Sequence, residues 1–183
     1  LRNNAHRADD YLAVNPQGLV PALITDAGNV LTQSLAIIEY LDETHPSPPL
    51  LPADPIARAR VRSIALAIAC DIHPIDNLRV LRYLLHTIGT SEAQKDAWYN
   101  YWIDVGLEAL ERQLASEPAT GLCCHGDAPT LADICLVPQA YNALRFSIDL
   151  GKYPMIRRIY EHCLTLPPFD NARPERQPDA PQA

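Results

Sequence analysis

The segment 15–44 constrains the fold of this chain more than any other. Asn-Pro and Gln-Gly turns precede a short apolar run, and a polar reversal separates this run from a second apolar pair. Ser34 stands directly before an apolar pattern with helical spacing, where its hydroxyl can cap the first turn. The sequence therefore predicts strands over about 20–24 and 29–32, and a helix from Ser34 to about Thr44.

The same segment has features that suit a small anionic peptide ligand. A cis bond between Val20 and Pro21 would turn the main-chain groups of Val20 outward, where an extended ligand could pair with them as an added strand. The free N–H groups at a helix start bind carboxylates, and Gln33 and Ser34 stand at such a start. An ordinary edge proline and a simple helix cap fit the same residues, so spacing alone leaves both interpretations open.

A proline-rich segment separates this region from a helical one. Five prolines between residues 46 and 55 predict an extended linker over 46–54. Apolar residues at helical spacing then continue to about Ile72, and Pro74 is expected to interrupt them. Further helices are predicted from there to Gly89, from Ser91, from Thr130 to about Phe146 and over 153–164, followed by an irregular tail from Pro167. The predicted organisation is a small α/β unit over 1–45, the linker, and an all-helical unit over 55–183.

Composition narrows the range of functions. The formal net charge of −7, without any run of Lys or Arg, argues against a nucleic-acid partner. No apolar stretch reaches the length that spans a membrane. Five cysteines without C-x-x-C spacing suit reduced thiols in a cytoplasmic protein better than a disulfide framework. The adjacent Cys123 and Cys124 lack a second ligand pair at a recognised spacing, so no metal site is predicted.

Taken together, the motifs of this chain resemble the zeta class of the glutathione transferases. The likeness covers nearly the whole chain, and the combination is far more specific than any single motif. Its main motifs are Asn15-Pro16-x-Gly18-x-Val20-Pro21-x-Leu23, Gln33-Ser34, Asp71-Ile72-His73-Pro74, Gly126-Asp127-x-Pro129-Thr130-Leu131-Ala132-Asp133, Arg145-Phe146 and Arg176-Gln177-Pro178-Asp179. In this family the Thr130–Asp133 pair is a structural capping box rather than a catalytic feature.

The resemblance implies a thioredoxin-like glutathione-binding domain followed by an all-helical glutathione-transferase domain. No part of the chain matches the first strand, helix and strand of the thioredoxin-like domain. Leu1 is not an initiator residue, and a preceding segment is expected in the natural protein.

The resemblance also implies an enzyme that uses glutathione as its cofactor. Its reaction would be the cis–trans isomerisation of maleylacetoacetate to fumarylacetoacetate by reversible addition of the glutathione thiolate. A maleylpyruvate isomerase, or a transferase acting on small α-halo acids, is the alternative within this class. Leu78 and Leu144 stand where maleylpyruvate isomerases tend to carry arginine, which favours maleylacetoacetate. A homodimer is expected from the family.

The family's glutathione contacts carry over to four positions of this chain. They are the main chain of Val20 and the side chains of Gln33, Ser34 and His73. Without the resemblance, His73 is better interpreted as a residue at a helix kink. The family's thiol-stabilising residues lie in the segment that this chain does not match, so no catalytic residue is predicted.

For the substrate, a keto acid or dicarboxylic acid, two residues are predicted. Arg145 would bind the substrate carboxylate, because a guanidinium suits bidentate binding of a carboxylate. Asn77 lies one helical turn beyond His73 and would contact substrate or glutathione from the same face. A function of another class stays open: a truncated, non-catalytic module whose helical scaffold binds partner proteins.

Overall fold

The computed structural model describes residues 2–178 and 180, with side chains from Asn4 onward. Asp179, the last residue of the tail motif, lies outside the described residues. The chain divides between Leu50 and Leu51 into two compact units, and this division falls within the proline-rich segment 46–54. The first unit is α/β, and the second is helical.

The first unit contains one antiparallel hairpin between helical segments. Its elements are a 3-10 helix over Arg2–Arg7, α1 over Asp9–Val14, β1 over Ala22–Ile24, β2 over Val30–Thr32 and α2 over Ser34–Thr44. In the hairpin, Leu23 of β1 pairs with Leu31 of β2. The hairpin and α2 occupy the positions that the apolar pattern predicts.

The start of α2 differs from the sequence prediction. Ser34 is the first residue of the helix, and Gln33 occupies the N-cap position without a side-chain hydrogen bond to the first turn. The prediction that Ser34 caps this helix is therefore wrong. The consequence is that the first-turn N–H groups of α2 have no capping side chain among the described residues.

The second unit is built from α-helices joined by shorter helical turns. Its α-helices are α3 over Pro55–Leu66, α4 over Leu78–Tyr83, α5 over Glu92–Ser116, α6 over Leu131–Arg145, α7 over Pro154–Leu164 and α8 over Pro167–Asn171. π-helical turns over Ala67–Ile72 and Leu84–Ile88 extend α3 and α4, and 3-10 turns cover His73–Ile75, Leu150–Lys152 and Pro174–Arg176. The expectation of an irregular tail from Pro167 is thus wrong for α8 and the last 3-10 turn.

Helix α6 lies at the centre of the second unit. It packs against α3 and α7, and α5 packs against α7 and the π-helical turn after α3. The core side chains with no exposed surface include Val61, Ile64, Ile103, Leu107, Leu114, Leu136, Ile156 and Ile159. Helix α5 approaches the π-helical turn so closely at Gly106 that a Cβ there would lie 2.4 Å from Ile72 Cγ1. A glycine is therefore required at this contact.

Candidate functional site

In the first unit, the candidate site is the start of α2. Gln33 has φ 71° and ψ 118°, and a positive φ is uncommon for any residue other than glycine. Such strained residues cluster at ligand-binding sites, where the surrounding structure holds them in place. Gln33 and Ser34 are both exposed, so the positive end of the helix dipole faces open solvent next to an amide and a hydroxyl.

The loop before β1 is fixed by buried polar contacts. The Tyr11 hydroxyl and the Asn15 amide both donate to the Leu19 carbonyl, at 2.6 and 2.7 Å. Asn15 is 2% exposed, and its Oδ1 accepts the Gln17 N–H at 3.1 Å. The Asn-Pro-x-Gly motif therefore shapes the chain that leads into Val20.

Val20 itself is open to a ligand. Its side chain is 53% exposed, and its bond to Pro21 is cis. The residue lies before the first residue of β1, so the ladder between β1 and β2 begins after it. At the other end of this surface, the Gln33 amide donates to Gln17 Oε1 at 3.1 Å.

In the second unit, His73 and Asn77 lie side by side, although not on one helix. The helix breaks between them, and Asn77 is the N-cap of α4, where its Oδ1 accepts the Arg79 N–H at 3.1 Å. The expectation of one continuous helical face is therefore wrong. The Asn77 amide still reaches the His73 ring, with 3.5 Å between Nδ2 and Nε2.

The environment of His73 keeps its ring neutral. Although the residue is exposed as a whole, loss of water around the ring, and then the charge of Arg79, lowers the pKa of His73. A histidine with a lowered pKa carries no charge at physiological pH and offers one donor and one acceptor. It suits a hydrogen bond to a neutral or anionic ligand group.

Next to Asn77 lies a buried carboxylate that the sequence did not signal. Asp76 is 8% exposed, and neither of its carboxylate oxygens has a hydrogen-bond partner among the described residues. Burial raises the pKa of Asp76 from 3.8 to about 7. The same turn is fixed by the Trp98 indole, whose N–H donates to the Ile75 carbonyl at 3.0 Å.

Tyr99 of α5 connects this turn to the end of α6. Its ring stacks on Phe146 with the centroids 3.6 Å apart. Burial and the charge of Asp76 raise the pKa of Tyr99 to about 12, while the charge of Arg145 lowers it. Asp76 and Arg145 thus both lie within electrostatic range of one tyrosine. Arg145 is the last residue of α6 and is exposed.

Four of the five cysteines of this chain do not offer an activated thiol. Burial raises the pKa of Cys123 to about 11 and of Cys135 to about 12. Burial also raises the pKa of Cys124 and Cys163. A thiolate nucleophile requires the opposite shift, so these four thiols are not suited to nucleophilic chemistry.

A concave face with a cavity of about 660 Å³ follows α3 and the π-helical turn after it, from Pro55 to Asp71. It is lined by the side chains of Arg58, Arg62 and Leu66 among others and includes none of the predicted ligand-binding residues. In the described part of the chain, no helix combines the length and the apolar character needed to cross a membrane.

Comparison with known proteins identifies relatives over nearly the full chain. Residues 1–44 match the family model of the glutathione S-transferase N-terminal domain. The chain is 52% identical to the maleylacetoacetate isomerase of Rhizobium meliloti, over 96% of this chain and 82% of that protein. It is 50% identical to the maleylpyruvate isomerase of a Ralstonia species, over 98% of this chain and 84% of that protein.

Solved structures give the same result. The holo structure of a maleylpyruvate isomerase, described as a bacterial zeta-class glutathione S-transferase, is 49% identical, with a TM-score of 0.92 over 96% of this chain and 82% of that one. A maleylacetoacetate isomerase from Methylobacterium extorquens, crystallised with malonate and glutathione, is 43% identical, with a TM-score of 0.94 over 98% of this chain and 84% of that one.

Proposed function

Because this chain belongs to the zeta-class glutathione transferase family, we propose that it catalyses the glutathione-dependent isomerisation of maleylacetoacetate to fumarylacetoacetate. The observation that carries the proposal is the 52% identity with a maleylacetoacetate isomerase over 96% of the chain. This similarity extends through both segments that bear the predicted binding residues. The structures of relatives with bound glutathione support glutathione as the cofactor.

The residues of the first unit fit an anionic tripeptide thiol. The uncapped start of α2 attracts a carboxylate through its N–H groups and its dipole. Ser34 and Gln33 add a hydroxyl and an amide to this anion site, and the exposed main chain at Val20 can pair with the extended peptide. When bound, glutathione supplies a thiolate whose reversible addition turns the cis double bond into a single bond that can rotate.

In the second unit, we assign Arg145 to the substrate carboxylate. Its guanidinium can bind both carboxylate oxygens at once, which fixes the orientation of the substrate as well as its position. The stack of Tyr99 on Phe146 holds the residue that follows Arg145. The neutral His73 and the amide of Asn77 provide hydrogen bonds to glutathione and substrate without adding charge.

The two units correspond to the two proposed binding roles. We assign the unit that ends at Leu50 to the thioredoxin-like glutathione-binding domain and the unit that begins at Leu51 to the helical domain. We further propose a homodimer that uses the concave face of α3, where Leu66 is 46% exposed. The absence of disulfides among the five cysteines supports a cytoplasmic location.

Maleylpyruvate is the second candidate substrate. The 50% identity with a maleylpyruvate isomerase over 98% of the chain favours it. The apolar side chains of Leu78 and Leu144, both exposed, argue instead for maleylacetoacetate. Neither leucine can supply the cationic contact that an arginine would give at these positions. The ratio of kcat/KM for the two substrates decides between them, because this ratio measures the difference in transition-state binding.

The test of the proposed function is an isomerisation assay on the purified protein. Maleylacetoacetate is incubated with protein and glutathione, and the product is separated chromatographically from the unreacted cis isomer. S-methylglutathione is the matched control, since it has the same peptide groups but no free thiol. We expect turnover with glutathione and none with the methylated form. Equal turnover with both, or turnover without either, contradicts the proposal.

A further inference from the structure

The helical unit contains a buried cluster of metal-ligating side chains that includes none of the residues assigned above. Cys123 precedes α6, Asp133 lies in the first turn of α6, and Cys163 lies in the last turn of α7. All three are fully buried, and one ligand atom of each lies within 4.8 Å of the other two. We propose that Cys123, Asp133 and Cys163 bind one zinc ion.

The spacing of these atoms is close to that of a zinc site. Zinc binds thiolate sulfur at about 2.3 Å and carboxylate oxygen at about 2.0–2.2 Å. Two ligands of one tetrahedral ion are therefore roughly 3.5–4 Å apart. Ligand atoms that already lie within 4.8 Å of one another reach this arrangement through small rotations of the side chains.

Asp133 can bind the ion and keep its hydrogen bonds to Thr130 and to the Cys124 N–H. Its Oδ2 accepts the N–H and the hydroxyl of Thr130, both at 2.8 Å. Its Oδ1 accepts the Cys124 N–H at 2.7 Å, and the Cys124 thiol also bonds this carboxylate. A carboxylate oxygen has two lone pairs, so the ion would displace the weak bond from the Cys124 thiol and leave the others in place. The three hydrogen bonds fix the carboxylate in the way that outer contacts orient a metal ligand.

The loop that carries Cys123 is held in place by charged side chains. Arg60 of α3 donates to the Cys124 carbonyl at 2.7 Å, and Arg158 of α7 donates to the Gly121 carbonyl at 2.6 Å. The Cys123 N–H also donates to the Gly126 carbonyl at 2.9 Å. The position of the first thiol is thus fixed before any metal binds, and binding requires little ordering of the chain.

The chemistry of the ligands favours zinc over harder and softer ions. Two sulfur ligands exclude Mg²⁺ and Ca²⁺, which prefer oxygen, and the carboxylate suits zinc better than Cu⁺. A divalent ion also offsets most of the negative charge that two thiolates and one carboxylate would bring into the core.

The proposed ion has a structural role. It would join the loop before α6 to α6 itself and to α7, and its binding free energy would add to the stability of the folded state. No residue that we assign to glutathione or substrate is a ligand. The zinc site and the proposed isomerase activity can therefore be tested independently, and failure of one does not contradict the other.

The primary test measures zinc and cobalt binding by the wild-type protein. After equilibration with zinc and removal of free metal, elemental analysis by mass spectrometry is expected to find about one zinc ion per chain. Cobalt loading is expected to produce thiolate-to-metal charge-transfer absorption in the near ultraviolet, which requires sulfur ligands. A folded wild-type protein that binds neither metal contradicts the proposal, and this result needs no variant.

Variants identify the ligands. Cys123→Ala and Cys163→Ala are each expected to lower the zinc content about tenfold and to abolish the cobalt absorption. Cys70→Ala is the matched control, because Cys70 is an exposed cysteine of the same unit, and it is expected to retain both signals. Circular dichroism checks that each variant is folded. Zinc content that stays unchanged in both ligand variants identifies surface binding only and overturns the proposal.

Discussion

At the scale of single residues, the properties of two side chains depend on what surrounds them. Ser34 lies exposed at a helix start that no side chain caps, so its hydroxyl is available to a ligand. Asp76 lies buried without a hydrogen-bond partner among the described residues, so its carboxylate is unstable in the charged form. We propose the first as a binding group, and the second is a pH-dependent cost to the folded state.

Replacing Ser34 tests the anion site. We expect Ser34→Ala to raise the Kd of glutathione about tenfold, because it removes one charge-assisted hydrogen bond to a carboxylate. Isothermal titration calorimetry measures the change. Ser116→Ala is the control, since Ser116 is also an exposed serine and bonds only to the Gln113 carbonyl in its own helix. An unchanged Kd in Ser34→Ala would show that the Ser34 hydroxyl does not bind glutathione.

Replacing Asp76 tests the buried carboxylate. The folded-state pKa of about 7 lies above the ordinary 3.8, so the folded protein keeps a proton that the unfolded chain has lost. The free energy of unfolding therefore falls as the pH rises from about 4 to about 7. Asp76→Asn has no such proton. Between pH 5 and pH 8 we therefore expect the free energy of unfolding of this variant to fall by roughly 2 kcal/mol less than that of the wild type.

Urea unfolding at pH 5 and pH 8 measures this difference for both proteins. Asp71→Asn is the control, because Asp71 is an exposed carboxylate in the turn before His73. The expectation fails if Asp76→Asn loses stability between the two pH values as steeply as the wild type does.

At the scale of secondary-structure elements, the start of α6 is the best-supported helix terminus of the chain. Asp133 is fully buried, and its carboxylate accepts hydrogen bonds from Thr130 and from the loop at Cys124. Helix α6 packs against both α3 and α7, so the position of its first turn affects two interfaces. By contrast, no side chain in the described part of the chain caps α2, so the N–H groups of its first turn are unoccupied by a capping group.

The contribution of this terminus can be measured by removing the Thr130 hydroxyl. We expect Thr130→Ala to lower the free energy of unfolding by about 1 kcal/mol, the usual effect of losing a cap. Thr130→Ser keeps the hydroxyl that donates to Asp133 and is expected to lose less. Chemical denaturation at one pH compares the two variants. Equal losses would show that the Thr130 methyl group, rather than its hydroxyl, stabilises the helix start.

At the scale of the whole molecule, the homodimer that we propose can be tested at an exposed apolar side chain of the helical unit. Leu66 is exposed on α3 and lines the concave face that extends to Asp71. A large apolar side chain that stays exposed on a concave face is available for contact with another chain. A twofold-symmetric dimer would bring the same face of two copies together.

Analytical ultracentrifugation tests this expectation. We expect the wild-type protein to sediment as a dimer and Leu66→Glu to shift toward the monomer, because a buried unpaired charge opposes association. Leu144→Glu is the matched control, since Leu144 is a leucine of nearly equal exposure, 44% against 46%, on a different helix. A Leu66→Glu protein that remains dimeric places the interface elsewhere.

The sequence by itself determined two kinds of feature: local structures such as turns and helix caps, and the family, which is identified by its motifs. The hairpin, the start of α5 with its Ser91–Gln94 capping box and the start of α6 follow from neighbouring residues, because turns and caps are formed within a few positions. The family could be identified because motifs spread over the chain occur in the right order. Sequence alone also selected Gln33, Ser34 and Arg145 as candidates, and the structure places all three at exposed helix ends.

Tertiary structure decided everything that depends on distant neighbours. The burial of Asp76, the stack of Tyr99 on Phe146 and the meeting of Cys123 with Cys163 join residues that no local pattern relates. The same holds for Asn77, whose place as an N-cap depends on where the helix breaks. Periodicity fixes which face of an element is apolar, but only the packing of one element against another fixes what each side chain meets.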